Sequence, residues 1–467
     1  MEEEAFSQWY NDIIERAEIM DVRYPVKGLY VWFPYGFKVR NNVIEIIKGL
    51  LDDTGHQEAL FPLLIPEQEF AKEAIHIKGF EDEVYWVTHG GREPLNVQLA
   101  LRPTSETAIY PMFSVWIRAH TDMPLKVYQV VNTFRYETKH TRPLIRLREI
   151  TTFKEAHTAH ASYEDAERQI REAMDIYSRF FDALCIPYTV SRRPDWDKFP
   201  GADYTMAFDT IFPTGRTLQI GTVHNLGQTF ARTFDITFEN LDGEQEYAYQ
   251  TCYGISDRVI ASLIAVHGDE KGLVIPPRVA PIQAVIVPIW MKDKKEMVDS
   301  EVEKLKEELS GVRLHVDNRD VRPGEKYYHW ERRGVPLRIE LGPRDIEKGK
   351  VVLVRRDTGE KVAVPREGIK ESVKRTLDKI TEDMARKAKE RFDSHIHTAS
   401  TADEVYEVYK EKGGVIKTLW CGEESCGKEM EDIAGIDILG IVDEEAEGAC
   451  AGCGGTAKNT ILLSRTY

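Results

Sequence analysis

The chain has 467 residues, with 78 Asp+Glu against 62 Lys+Arg for a formal net charge of −16, and is 42% hydrophobic and 10% aromatic. This length predicts about three domains at roughly 100 to 200 residues each, and so large an apolar fraction excludes disorder as the dominant state. Charge mixed in both signs excludes a polybasic tail protein, and six cysteines, four of them from Cys421 onward, are too few for a secreted disulfide scaffold.

Phe6, Trp9, Tyr10, Ile13, Ile14, Ala17 and Met20 recur at helical spacing, so the chain opens on an amphipathic helix over 6–20. A second helix runs from Gly36 to Thr54 and stops at Gly55, ahead of the apolar strand ALFPLLIP. Residues 84–150 mix short strands with a helix after Pro103, and DAERQIREAMDIYSRFFDAL predicts a long helix. YTVS, DYTMAFDTIF, GRTLQIGTVHNLG and RTFDITFEN read as consecutive strands, which makes residues 1–275 an α+β domain on a mostly antiparallel sheet. PPRVAP at 276–281 is the boundary, because three prolines in six residues continue neither a helix nor a central strand.

Beyond it, strand IQAVIVP, helix 292–310, strand VRLHV, helix 324–334 and strands PLRIEL, VVLVRR and KVAVP predict a mixed α/β domain over 276–385. A charged helix over 367–392 leads into a small C-terminal α/β unit, 386–467. The start MEEEAF has neither a basic nor an apolar leader region, and no apolar run nears the ~18 residues that cross a bilayer, so a cytoplasmic protein with no membrane contact is expected.

Cys421 and Cys426 form C-x4-C, Cys450 and Cys453 form C-x2-C, and Gly422, Gly427, Gly452, Gly454 and Gly455 stand beside them. Four thiolates on two tight knuckles suit tetrahedral zinc. With all four positions cysteine there is no open coordination site, so the metal is expected to be structural. The alternatives are reduced unligated thiols, a disulfide pair or an iron–sulfur cluster. Cys185 and Cys252 are expected to be small buried apolar residues.

No G-x4-G-K-[ST], G-x-G-x-x-G or H-E-x-x-H occurs. Instead FRYETKHTRPLIRLREITTFKEAH sets Arg135, Lys139, Arg142, Arg146, Arg148 and Lys154 against only Glu137 and Glu149. A strand, a basic loop and a returning strand would aim guanidinium forks at phosphate oxygens, unless the segment is simply an exposed basic hairpin.

These residues resemble the three signature motifs of class II aminoacyl-tRNA synthetases. Motif 1 matches the helix from Gly36 with Pro62, Leu63 and Leu64; motif 2 matches Phe134, Arg135, Tyr136 and Glu137 with the loop residue Arg146; motif 3 matches Tyr253 through Arg258. Within the class, RPTSET, TRPLIRLREI, TVHNLGQTF and VHGDEKGLVIPPRVAP resemble the prolyl-tRNA synthetase family over essentially the whole chain. The likeness is to its archaeal and eukaryote-like type, which carries a cysteine-bearing C-terminal domain and ends in tyrosine, here Tyr467.

The resemblance implies activation of L-proline with ATP and transfer to tRNA(Pro), with magnesium on the nucleotide and a homodimer formed through motif 1. Arg135 would bridge the α-phosphate and the proline carboxylate, with Arg146 and Arg258 on the triphosphate and Glu137 on the adenine amino group. Gln219, Thr222 and Ser256 would supply polar contacts. Thr104 and Glu106 would receive the proline ammonium, with Phe153, His157, Phe199 and His224 around the ring. Without the resemblance, Thr104 and Glu106 read as a helix cap.

The 95 residues at 158–252 leave no room for an editing insertion, so cysteine and alanine are expected to be misactivated without correction in cis. Residues 311–356 hold 12 Lys+Arg against 7 Asp+Glu, opposite in sign to the whole chain. The resemblance makes this the anticodon-binding domain, with Arg319, Arg322 and Arg344 toward the anticodon and Tyr327, Tyr328 and Trp330 as stacking platforms. It also sends the Tyr467 carboxylate toward the active site. The competing readings are a class II enzyme for another small amino acid and a non-catalytic, synthetase-like tRNA-binding protein.

Overall fold

Long antiparallel strands with period-2 burial dominate the first half of the chain in the computed structural model, which describes residues 1–74, 83–138, 140–291 and 293–467. Strands Thr189–Arg192, Tyr204–Ile211, Thr217–Gly227, Tyr249–Ile255, Glu149–His160 and Leu125–Phe134 lie side by side in that order, each antiparallel to the next. One face of this sheet packs on helix Tyr163–Ala183, whose N-cap Ser162 accepts a hydrogen bond from the Asp165 amide. The stripe Ile170, Ala173, Ile176, Tyr177, Phe180 and Phe181 shares a core with Val223 and Tyr253 of the sheet and with Val43 and Ile47 of helix Pro34–Asp52. Phe180 and Phe181 are fully buried, and truncating either to alanine would cost about 3–5 kcal/mol. The other face of the sheet carries helix Glu106–Trp116 and a deep cavity.

The 276–385 segment builds a separate five-stranded sheet around its own core. Ala284–Pro288 pairs in parallel with Leu314–Val316 and with Leu337–Leu341, as expected of strands joined through helices Lys295–Glu308 and Pro323–Arg332. Lys350–Arg355 and Lys361–Pro365 then add antiparallel. Helix Ile369–Asp393 leads to the last unit, strands Ile396–Thr398, Val415–Trp420, Asn459–Ser464 and Asp437–Val442 with two helices.

This last sheet does not stand apart. Ile441 pairs with Arg192, so among the described residues one sheet of eleven strands runs from the C-terminal unit through the N-terminal one. Ser191 and Arg193 add side-chain hydrogen bonds to the Leu439 carbonyl.

Three elements differ from expectation: of the apolar strand ALFPLLIP only Leu64–Pro66 extends, antiparallel to 99–101. The first helix is Glu3–Arg16 rather than 6–20, because Glu18 takes φ 57 and turns the chain into the short strand Met20–Asp21. RTFDITFEN is not one strand. Its start falls in helix Thr229–Thr233, where Phe230 is fully buried, Asp235 takes φ 54, and only Thr237–Glu239 extends.

Candidate active site

The motif 2 strands meet across a loop closed on itself, with the Arg142 and Arg146 amides each donating to the other's carbonyl at 2.9 Å. Leu144 at φ 63 makes the turn, and the half-buried Arg258 side chain braces it, Nε to the Ile145 carbonyl at 3.1 Å. The result is a cavity of about 460 Å³ whose lining includes every residue assigned above to ATP or proline: Thr104, Glu106, Arg135, Glu137, Arg146, Phe153, His157, Phe199, Gln219, Thr222, His224, Ser256 and Arg258.

The two ends of the cavity differ in chemistry. At one, burial and then the neighbouring Arg135 and Arg146 charges pull the Arg258 guanidinium down to about 10. It is still cationic at neutral pH, so three arginines crowd together where an anion would relieve their repulsion. At the other end Thr104 and Glu106 do not cap the helix: the Ser105 side chain makes no cap bond there, and the Thr104 hydroxyl donates to the Glu106 carboxylate at 2.5 Å.

Burial pushes the Glu106 carboxyl above the ordinary carboxylate range, and the nearby Glu155 charge adds to this. Glu155 is pushed up by burial too, but hydrogen bonds from His157, Ser105 and Gln129 outweigh it and hold it low. The Tyr110 hydroxyl lies 3.0 Å from His157 Nδ1 and completes the chain of contacts. His224, held to Thr205 and Thr222 at 2.8 and 2.9 Å, is pushed down to about 3 by burial and then by His157, so it is neutral. Its ring lies 4.8 Å from that of Phe199. This end of the cavity therefore sets the rings of Phe153, Phe199 and the neutral His224 around two buried acids, Glu106 and Glu155.

Some candidates lie elsewhere. Lys154 is fully buried on the opposite face, with Nζ on the Tyr177 hydroxyl and the Tyr253 carbonyl, and burial drops its ammonium to about 7. Arg148 lies over the Tyr136 ring, Arg142 turns to Ser7, and Lys139 is outside the described residues. The basic segment thus delivers Arg135 and Arg146 to the cavity, not six cations.

Glu155, Arg193, Trp196 and Asp197 line the cavity unforeseen, and Ile150 lines it as well. So does Cys252, expected to be a core residue, which pairs across the sheet with His157 and His224. Tyr467 is absent from the lining. Its ring packs 5.1 Å from Phe212 and its hydroxyl lies 2.8 Å from Thr214.

Away from the cavity, Cys421, Cys426, Cys450 and Cys453 bring their sulfurs within 4.8 Å of one another. In the 276–385 unit Arg319 is held bidentate by Asp317, which also accepts from the buried Trp330, whereas Arg322, Arg344 and Tyr328 are exposed.

An antiparallel six-stranded core carrying an arginine-lined cavity between a motif 2 strand pair and a motif 3 strand-to-helix junction is the architecture of a class II aminoacyl-tRNA synthetase. Residues 85–267 match the tRNA synthetase class II core domain (G, H, P, S and T), 283–376 an anticodon binding domain, and 402–467 the C-terminal domain of prolyl-tRNA synthetase. The chain belongs to the prolyl-tRNA synthetase family.

It is 58% identical to the proline–tRNA ligase of Methanothermobacter thermautotrophicus over 98% of this chain and 95% of that one. To the proline–tRNA ligase of Methanocaldococcus jannaschii it is 60% identical, over 93% and 96%. A solved structure of Giardia lamblia prolyl-tRNA synthetase in complex with prolyl-adenylate superposes with a TM-score of 0.95 at 38% identity, covering 99% of this chain and 98% of that one.

Proposed function

We propose that the chain ligates proline to tRNA(Pro), forming prolyl-adenylate from L-proline and ATP and passing the prolyl group to the 3′ end of the tRNA. The observation that carries this is the juxtaposition of a three-arginine cluster with a buried acid in one cavity. Adenylate formation brings a carboxylate against the α-phosphate. Arg135, which lines the cavity with both groups, would offset a repulsion that grows toward the transition state. Arg146 and Arg258 would hold the β- and γ-phosphates, with Arg258 also over the adenine face.

Glu137 would accept from the adenine amino group, and Gln219, Thr222 and Ser256 would contact the nucleotide. Magnesium would arrive as MgATP; the oxygens of Gln219 and Ser256 suit a hard cation. Glu106 and Thr104 would take the two N–H donors of the proline ammonium, and Phe153, His157, Phe199 and His224 would bound the ring. The second step needs positioning of the adenosine hydroxyl, and no general base is assigned.

The cysteine cluster fits structural zinc. Zn–S bonds of about 2.3 Å place tetrahedral sulfurs about 3.8 Å apart, and Cys426 Sγ lies 3.6 Å from Cys450 Sγ. A Cβ on Gly452 would sit 2.7 Å from the Cys426 sulfur, so glycine is required for the knuckle to close. Zinc there would tie the two knuckles together.

Exposed Leu60, Leu63, Leu64, Met112, Val115 and Trp116, gathered around the Phe61–Trp116 ring contact, support a homodimer, because a monomer rarely leaves such an apolar group in water. Arg322, Arg344 and Tyr328 are the groups available to the anticodon, with Arg319 committed to Asp317. Among the described residues no helix is long and apolar enough to cross a membrane, and a cytoplasmic location is part of this proposal.

The test is ATP–pyrophosphate exchange with each amino acid in turn. Proline should dominate, with cysteine and alanine trailing, since a missing methylene is worth only about 1–3 kcal/mol. Exchange led by another amino acid, or silence with all of them, would overturn the reading.

A further inference from the structure

The strand Glu149–His160 places Phe153, Glu155 and His157 on the cavity at the two-residue spacing that a pleated strand dictates. Carried back, that alternation would bring Thr151 to the cavity and turn Ile150 away. The reverse is found: Ile150 lines the cavity and Thr151 does not. The cause is a β-bulge. Val131 pairs with Phe153 and Thr133 with Ile150, so Asn132 alone faces both Thr151 and Thr152, and the extra residue resets which face the strand presents.

The bulge is gripped from two other elements. Asp257, almost wholly buried and next to Arg258, accepts from the Thr151 amide at 2.8 Å. Arg40, on helix Pro34–Asp52, donates Nε to the Thr152 hydroxyl at 2.9 Å and a terminal nitrogen to the Thr151 carbonyl at 2.8 Å. Trp32 Nε1 donates to the Thr151 hydroxyl at 2.8 Å. Arg40 and Trp32 do not line the cavity, and neither has a part in the machinery described above.

We propose that Arg40 is a positioning residue for the nucleotide: with Asp257 it locks the bulge at Thr151 and Thr152, and thereby fixes Ile150 and the Asp257–Arg258 junction at the ATP end of the cavity. This rests on the assignment of the Arg146 and Arg258 end to ATP. A methionine at position 40 fills similar volume but cannot donate, leaving the Thr151 carbonyl without its partner in a partly buried place.

Three proteins test it by pyrophosphate exchange: Arg40→Met, a variant lacking Thr152, and the two changes combined. Removing Thr152 restores plain alternation with Ile150 and Phe153 two residues apart, so both face the cavity without a bulge and the grip of Arg40 no longer matters. The expected result is that Arg40→Met raises KM for ATP about tenfold and KM for proline less than about twofold, and that in the background lacking Thr152 the same substitution changes neither.

Equal rises in both KM values, no change in either, or the same penalty with and without Thr152 would overturn the proposal. Should the shortened chain not fold, Arg40→Lys decides instead: it retains a donor and should recover KM for ATP toward the parent value, and failure to recover counts against the inference. Loss of ATP-dependent exchange in the parent protein would sink the nucleotide assignment itself, which is a separate result.

Discussion

Glu106 sits where two demands conflict. A secondary ammonium is best received by an ionised carboxylate, yet burial favours the neutral acid, and the Glu155 charge adds to that preference. The Thr104 hydroxyl partly offsets this by donating to the ionised form. The pocket thus holds an acid whose pKa is raised, and its affinity for proline should be present at and above neutrality and fall as the pH drops. With the pKa above the ordinary glutamate value of about 4.3, the loss should begin in mildly acid solution.

Followed from about pH 8 down to the ordinary glutamate value of about 4.3, KM for proline should climb toward acid while KM for ATP stays flatter; a KM for proline constant across that whole range would contradict the assignment. Glu106→Gln should abolish the acid limb and weaken proline by roughly 30-fold or more, which corresponds to about 2 kcal/mol for leaving a buried charge without its partner. The identity of Glu106 as a candidate was legible in its sequence motif. Its environment was not, because Glu155 and its partner Gln129 come from two paired strands and not from the helix that carries Glu106 and Tyr110.

At the scale of elements, the motif 2 loop is held from outside by both ends of the chain. Tyr10 donates to the Pro143 carbonyl at 3.0 Å, Arg142 donates to Ser7 at 2.8 Å, and the Arg142 guanidinium lies 5.4 Å from the Tyr467 ring, which is wedged among Phe6, Phe212 and Arg216. Arg142 is the residue that pairs with Arg146 across the loop, so loosening it should be felt at the triphosphate end. Deleting Tyr467 should raise KM for ATP about fivefold, the worth of a cation–π contact near 1 kcal/mol, with KM for proline little changed. An unchanged KM for ATP would mean that the N-terminal helix alone holds the loop.

Periodicity shows where such strands and helices lie, and here it located nearly all of them. It does not show bulges. Gln219, Thr222 and His224 share the cavity only because the ladder shifts between Phe208 and Asp209, as Ile150 does through its own bulge, and a pattern of alternating apolar residues carries no mark of a one-residue slip. Lys154 needed no bulge: plain alternation between Phe153 and Glu155 turns it away from the basic cluster into the core on the opposite face.

Over the whole molecule the acidic total was a poor guide to partners, since the cations that matter are local: Arg135, Arg146 and Arg258 within one cavity, and the excess over 311–356. Composition and spacing predict about three units. What the sequence could not reveal is that the cysteine-bearing unit is joined to the catalytic sheet and leans on a wall of the active site. Trp196, which lines the cavity, meets Trp420 edge-on at 5.8 Å, and its ring lies against Gly427, where a Cβ would stand 2.7 Å from it. Arg193, also in the lining, is tied to the Leu439 carbonyl and bidentate to Asp209.

The segment 193–200 therefore connects the knuckles to Phe199 at the end proposed for proline, with Gly427 one residue from Cys426 and Trp420 one residue from Cys421. Disordering the knuckles should be felt in catalysis although no cysteine of the cluster touches the cavity. Cys450→Ser, or removal of zinc by a chelator, should lower thermal stability and cut kcat/KM for proline by about tenfold or more, as expected when a wall residue is misplaced by about 1 Å. KM for ATP, proposed to depend on Arg146 and Arg258 at the far end, should change much less. Metal analysis before and after chelation should follow the loss in step, at one zinc per chain. Full activity in chelated, metal-free protein would show that the C-terminal unit docks on the catalytic sheet without shaping its pocket.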